Sequence, residues 1–413
     1  MHTRRILPLL GLASALVFSG RAHSQTAGAL QQASNGNPFA AMLEGKGTIS
    51  SNINASISNN TFDIGDVAAI IEILDDFKPS DAFLIGGKAP PGEGALLRAN
   101  SEAGLFIGFP LSFGMVGVSA GVRVHAQGAL PEAVSRILRD GSSSNNLVVD
   151  LNGLGGRGIA YGNLGLLTLI NLFEDAENET RVRLGIGAHY LYSLAGGELL
   201  FDGSAFADNS TSHVTLSSTV VEANLRLTYP RGTGTVGGRG FAGDVFLAAN
   251  LGKLYLGGLL RGFGSIEHTG SELGLVNLVF TAGGIGELID VLDTLSTETV
   301  PGITESTALP ATLRLEGSYQ FNAFLGLGVL WEKGFRGPFE VGSSVIGVVE
   351  VRLAPWLPIR VGGSRLQGLG NGFSGGLGLD FDTFELTLDL TAQGGVGDKS
   401  ESAILRTGFA FFF

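Results

Sequence analysis

The sequence predicts an all-β fold, a transmembrane antiparallel β-barrel of about fourteen strands. Three observations predict it. Mean hydropathy is +0.30 and only 15% of residues are charged, yet beyond the first 24 residues no run approaches the ~20 apolar residues of a spanning helix. Glycine, a poor helix former, occurs 65 times. Apolar side chains recur at every second position through many segments, which is the period of a strand with one oily face. Backbone inside lipid must satisfy its own polar groups, and with no long apolar helix a closed barrel is the solution left.

Taken in order, the chain opens with an export signal. Arg4 and Arg5 precede an apolar stretch over residues 6–20, and Ala22-His23-Ser24 places small residues three and one positions before a cut between Ser24 and Gln25. Residues 1–24 are therefore expected to be a signal peptide read by the Sec route. The residues around Arg4-Arg5 fit a twin-arginine signal poorly. The chain has no cysteine, so a lipoprotein anchor, a disulfide framework and a thiolate metal site are all excluded. Cleavage would remove three of 26 basic residues and none of 38 acidic ones, deepening the net charge from −12 to −15. Such a chain lacks the basic stripe that nucleic-acid binding needs. The six histidines show no metal-ligand spacing, and no cofactor is expected. His213 and His268 read as loop residues.

Residues 25–46 form an N-terminal segment and a candidate plug, and strands run over residues 47–413. Val116, Val118, Ala120, Val122 and Val124 alternate with Gly117, Ser119, Gly121, Arg123 and His125. Val182 to Tyr190 interleave Arg183, Gly185, Gly187 and His189, and Val221 to Tyr229 interleave Glu222, Asn224, Arg226 and Thr228. The same pattern returns around Leu313, Leu315, Tyr319 and Phe321, and again at Phe384, Leu386, Leu388 and Leu390. A soluble sandwich would alternate too. Against it, these segments reach the ~10 residues a tilted strand needs to cross a bilayer. Aromatics (Tyr190, Tyr229, Phe321, Trp331, Trp356) sit at the ends of oily faces, as an interfacial girdle requires. The other face carries charges that a dry core would not tolerate and a wet lumen would. Arg123, Arg183, Glu222, Arg226, Arg314, Glu316, Glu350 and Arg352 are the candidate lumen charges. Their mixed signs favour ion pairs (Arg314 with Glu316, Glu350 with Arg352, Glu222 with Arg226) over a single-sign permeation ring.

Two stretches change period. Residues 66–77 place Val67, Ile70, Ile71 and Leu74 at helical spacing, and residues 284–295 do so with Ile285, Leu288, Ile289, Leu292 and Leu295. The second lies in a long connection expected over residues 268–310. Such a loop helix packs its oily stripe on the barrel mouth, in the membrane interface or over a hydrophobic ligand, so Ile285, Leu288, Ile289 and Leu292 are candidate groove residues. At the other end of the chain, Leu405, Thr407, Phe409, Phe411 and Phe413 occupy alternate positions. The aromatic series Phe409, Phe411, Phe413 looks like the signal that outer-membrane assembly machinery reads by strand addition.

Other motifs look chemical and are not. Gly153-Leu154-Gly155-Gly156-Arg157-Gly158 and Gly232-Thr233-Gly234-Thr235-Val236-Gly237 match the dinucleotide fingerprint, but each leads into another strand and not into a helix. Gly117-Val118-Ser119-Ala120-Gly121 matches a nucleophile elbow, whereas Ser119 sits mid-strand with no orienting acid placed for His125 or His189. No enzymatic activity is expected.

The run Gly240-Phe241-Ala242-Gly243-Asp244-Val245-Phe246, then Leu254-Tyr255-Leu256-Gly257-Gly258, Leu309-Pro310-Ala311-Thr312-Leu313-Arg314-Leu315, Leu357-Pro358-Ile359-Arg360-Val361-Gly362-Gly363 and a glycine-rich hairpin over residues 375–389 resembles the FadL-like superfamily of outer-membrane barrels, especially its PorV-like and TraF-like branches. Asn37-Pro38 resembles their Asn-Pro-Ala element, with Phe39 in place of the alanine. The resemblance implies a fourteen-stranded barrel, an N-terminal plug and loop helices that hold hydrophobic ligands; no ligand contact transfers by position. The function expected is passive transport or binding of a small hydrophobic molecule in the outer membrane of a Gram-negative-type cell. The alternatives are a PorV-like accessory barrel of a secretion or conjugation complex, and a general diffusion porin.

Overall fold

The structure, a computed structural model, describes residues 37, 39–59, 95–133, 135–136, 147–150, 152–208, 215–228, 238–278, 281–282, 298–336, 342–367, 370–394 and 401–413. In chain order these form β1 (Thr48–Asn59), β2 (Ala95–Leu111), β3 (Gly114–Leu130), β4 (Leu147–Asp150), β5 (Gly155–Asp175) and β6 (Thr180–Asp208). There follow β7 (Thr215–Thr228), β8 (Gly238–Leu251), β9 (Leu254–Leu278), β10 (Thr281–Ala282), β11 (Glu298–Ala308) and β12 (Ala311–Asn322). The last are β13 (Leu325–Arg336), β14 (Ser344–Ala354), β15 (Leu357–Leu366), β16 (Gly370–Phe381), β17 (Phe384–Gln393) and β18 (Ser402–Phe412). No helix among the described residues is long and apolar enough to cross a membrane. The crossing is made by strands.

Fourteen of these strands close a transmembrane antiparallel barrel: β1, β2, β3, β5, β6, β8, β9 and β12 to β18. Closure comes from β1, which pairs with β2 on one side and with β18 on the other, Thr48 facing Phe412 and Ser58 facing Ser402. Each of these fourteen strands is paired on both sides, which is what a barrel in lipid requires. Tight turns join Leu111 to Gly114, Asp175 to Thr180, Leu251 to Leu254, Asn322 to Leu325, Ala354 to Leu357 and Phe381 to Phe384, all at the rim where β1 starts and β18 ends. The longer connections lie at the opposite, loop rim.

Alternation decides which face each residue takes. Val118, Val122 and Val124 face out while Arg123 and His125 face in, and Ile186 and Tyr190 face out while Arg183 and His189 are buried. The outward face is predominantly apolar on the barrel strands whose side chains are described, a belt that lipid covers. Aromatic rings crowd the turn rim: Trp356 stacks on Phe381, Phe381 on Phe384, and Phe409 leans on Phe384. Phe411, Phe413 and Phe109 continue the girdle between the two ends of the chain. There the Phe413 N–H donates to the Gly47 carbonyl at 2.8 Å.

The connection expected over residues 268–310 is shorter than the sequence suggests. β9 runs on to Leu278, and β11 returns along it with Glu298 facing Leu275 and Ala308 facing Ser265. Glycine and mixed polar residues hide the alternation there, while backbone pairing alone carries the strands upward. β6 behaves similarly over its 29 residues. It pairs with β8 from Thr180 to Tyr192 and with β7 from Gly196 to Asp208, so β7 rises where β8 stops. The helical patterns at residues 66–77 and 284–295, with Ile285, Leu288, Ile289 and Leu292, lie outside the described residues, as do Ser24, Gln25, His213, Tyr229 and the motif at 232–237. The motif at 153–158 is a turn at Asn152–Gly153 feeding β5, not a phosphate-binding loop.

Where β8 meets β9 the register slips between Gly243 and Val245. Gly262 sits at φ +75° opposite the slip, in the left-handed region where a side chain is strained. A Cβ there would also stand 2.7 Å from the Pro310 carbonyl oxygen. Gly262→Ala is expected to lower stability by ~1–3 kcal/mol. Gly243→Ala, whose Cβ would meet only the Gly187 carbonyl at 3.7 Å, should change little. Urea midpoints of the heat-modifiable folded band compare the two.

Candidate functional site

At the turn rim residues 39–43 of the N-terminal segment pack against the inner wall. Asn37 Oδ1 accepts the Phe39 N–H at 3.0 Å and starts a 3-10 turn at Ala40–Met42. Phe39 and Met42 are wholly buried, and Phe39 stacks on Phe246 with centroids 5.3 Å apart. The ring comes so close to the wall because Gly185 has no side chain; a Cβ there would lie 2.7 Å from Phe39 Cδ1. Arg183 reaches in from β6 and donates to the Leu43 carbonyl, and Thr48 Oγ1 donates to the Ala41 carbonyl at 3.3 Å. Phe106, Met115, Leu167, Leu169 and Leu259 complete an apolar cluster around the segment.

Further from this rim a charged bar crosses the lumen. Arg261 on β9 donates from Nη1 to Glu102 Oε2 at 2.9 Å and from Nη2 to Oε1, a two-pronged pair that links β9 to β2. On the shorter way round, β3, β5, β6 and β8 stand between those strands, so the pair spans the interior and does not run along the wall. Arg123 on β3 joins the same carboxylate at 3.3 Å. His125 lies beside the bar, its Nδ1 2.8 Å from Asn100 Oδ1 and its Nε2 3.4 Å from the Tyr161 hydroxyl.

A second chain of charge lines the β12 to β17 wall. Arg352 holds Glu350 at 3.0 Å and Asp380 at 2.8 Å, and also donates to the Pro355 carbonyl. Arg360 holds Asp389 at 2.9 Å and approaches the second Glu350 oxygen at 3.7 Å. Arg314 donates from Nε to Glu332 at 2.9 Å, directly across the β12–β13 pairing, while Glu316 accepts from the Tyr255 hydroxyl at 3.0 Å. Paired and hydrogen-bonded in this way, these ions tolerate removal from bulk water.

Of the lumen charges read from the sequence, Arg123, Arg183, Arg314, Glu316, Glu350 and Arg352 stand on the inner face. Glu350 and Arg352 meet as a pair; Arg314 meets Glu332, and Arg183 meets backbone. Glu222 and Arg226 lie on β7, whose side chains fall outside those described. The candidate lumen charges did not include Glu102, Arg261, Arg360 or Asp389, although Asp389 falls on the polar face of the alternating run at residues 384–391. Arg360 and Asp389 were legible, since each alternates with apolar neighbours. Glu102 sits among alanine, serine and glycine, and Arg261 precedes the Gly262 bulge, so neither shows a clean period.

The structure also places an acid beside His189 that spacing did not reveal. His189 Nε2 lies 2.9 Å from Asp244 Oδ2, and the other Asp244 oxygen accepts the Gly262 N–H at 2.8 Å. Asp244 thus secures the β9 bulge. Ser119 Oγ and His189 Nδ1 both point at Gly165, but both are without a hydrogen-bond partner, so no Ser–His pair is formed. No group of three metal-ligating side chains occurs among the described residues.

Residues 44–389 match the profile described as "Family of unknown function (DUF5723)". The chain belongs to that family. No curated protein matches the chain in sequence. Among solved structures, this family member is similar to the Pseudomonas putida toluene transporter TodX, with 9% identity, a TM-score of 0.46 and coverage of 92% of this chain and 93% of that one. It is similar also to a Pseudomonas aeruginosa FadL homologue, with 12% identity, a TM-score of 0.47 and coverage of 91% and 93%. The monoaromatic hydrocarbon channel CymD gives 10% identity, a TM-score of 0.45 and coverage of 91% of each chain.

Proposed function

We propose that this barrel serves the passive uptake or binding of a small hydrophobic molecule at the outer membrane, with its turn rim facing the periplasm. The observation that supports the reading is an apolar cluster around the N-terminal segment with a cross-lumen ion pair beyond it. Residues 39–43 pack into that cluster at one end, and the Glu102–Arg261 pair crosses the lumen beyond them. A diffusion porin keeps a water-filled column for polar solutes, and a cross-lumen ion pair seated above an apolar cluster works against one. The orientation follows the habit of such barrels, short turns inside and long loops outside. The 26 phenylalanines, against six tyrosines and two tryptophans, and the predominantly oily exterior suit a solute that partitions into lipid. Residues 39–46 act here as a plug, and the Phe409, Phe411, Phe413 series as the assembly signal.

Two measurements on the purified full chain test the reading. In planar bilayers the barrel is expected to show no steady ion conductance. In vesicles it should speed the entry of the apolar probe N-phenylnaphthylamine relative to protein-free vesicles. Steady conductance without any effect on probe entry would return the protein to the porin class.

A further inference from the structure

A cavity of about 170 Å³ lies on the loop side of the bar. Five guanidinium groups line it: Arg98, Arg123, Arg261, Arg314 and Arg406. Among the described residues two carboxylates do, Glu102 and Glu332, and both are already engaged, Glu102 by Arg123 and Arg261 and Glu332 by Arg314. The rest of the polar lining is rich in hydroxyl and amide donors, with Asn54, Ser56 and Ser58 on β1 facing the arginines.

Arg406 stands apart within this set. Its side chain is 7% exposed and its Nε is buried with no hydrogen-bond partner. Among the described residues no carboxylate forms an ion pair with it. The nearest acid on the neighbouring strand, Asp389, faces Arg406 in register but gives Oδ1 to Arg360. A second, smaller cavity touches the other side of Arg406, lined by Leu330, Ile346 and Val348 and also by Glu316, Arg360 and Asp389, of which Glu316 is engaged by Tyr255 and Asp389 by Arg360. Glu332 and Asp389 lie near enough to be felt but are held by other arginines. A guanidinium withdrawn from water with no carboxylate in contact is costly, and its planar fork of N–H groups matches an oxyanion.

We propose that the chamber is a binding site for a small oxyanion, a carboxylate or a phosphate, seated on the Arg406 guanidinium. Excess positive charge concentrates the anion, and the fork, together with the β1 donors, orients it. The site is independent of the route taken by hydrophobic molecules, because it rests on lumen charge alone. It also explains why a chain acidic overall keeps arginines in excess around one internal cavity.

The test is calorimetric titration of the full chain in neutral detergent at low salt, with sodium phosphate and sodium acetate in separate runs. At least one should saturate, and which one does names the ligand class. Arg406→Gln should weaken that binding at least about ten-fold, the scale of a lost charged hydrogen bond. Asp389→Asn should bind as well as the parent or better, since it removes a competing acid. Folding of each variant is read from heat-modifiable gel migration. If Arg406→Gln fails to fold, Arg406→Lys takes its place and should bind several-fold more weakly, because an ammonium keeps the charge but lacks the fork. Absence of saturable binding by both anions, or unchanged affinity in the Arg406 variant, would overturn the site.

Discussion

Glu102→Ala is expected to destabilise the folded barrel by ~3–5 kcal/mol, the usual cost of stripping the partner from a buried charge. The change leaves Arg123 and Arg261 facing each other across the lumen with no anion between them. The same substitution removes the bar, so brief conducting events should appear in bilayers where the parent is silent. Arg261→Ala should cost less, since Glu102 keeps Arg123. Combined in a cycle, the two changes should show a coupling of ~0.5–3 kcal/mol. Urea unfolding of the refolded protein in detergent gives the stabilities, and single-channel recording gives the gating. Additive stabilities with an unaltered baseline would mean that the pair neither braces nor closes the lumen.

Phe39→Ala should undock the N-terminal segment. Its ring is wholly buried against Phe246 and fills the space that Gly185 leaves, so truncation is expected to cost ~3–5 kcal/mol of docking. The barrel strands do not depend on that contact for their pairing. Limited proteolysis should therefore cut the variant near residues 39–46 and spare the barrel, whereas the parent resists at both places. Phe246→Ala should act alike, and the double variant should add little, because either truncation already empties the same contact. A protease-resistant Phe39 variant would show that Arg183 and Thr48 hold the segment unaided.

Much of this molecule was legible without coordinates. The barrel class and the fourteen-strand count follow from period and hydropathy, because the lipid boundary imposes one rule on every crossing strand: alternate residues face oil. Val118, Ile186, Leu315 and Leu388 obey it wherever they stand, and Arg123, Arg314 and Glu350 are inward for the same reason. A lumen imposes no such rule. Whether Arg261 meets Glu102 depends on strands far apart in the chain being brought face to face, and no local spacing encodes that distance.

The sequence by itself determined that the chain is a membrane-spanning barrel and, on strands with a clean two-residue period, which face each side chain takes. Tertiary structure alone decided who meets whom there: Phe39 on Phe246, Glu102 between two arginines, Asp244 on the Gly262 bulge, Arg406 left over. Facing is a property of each strand, fixed by the two-residue repeat of its backbone. Pairing across a cavity is a property of the closed cylinder, fixed by shear and by the slip between β8 and β9, and it exists only once the first strand has met the last.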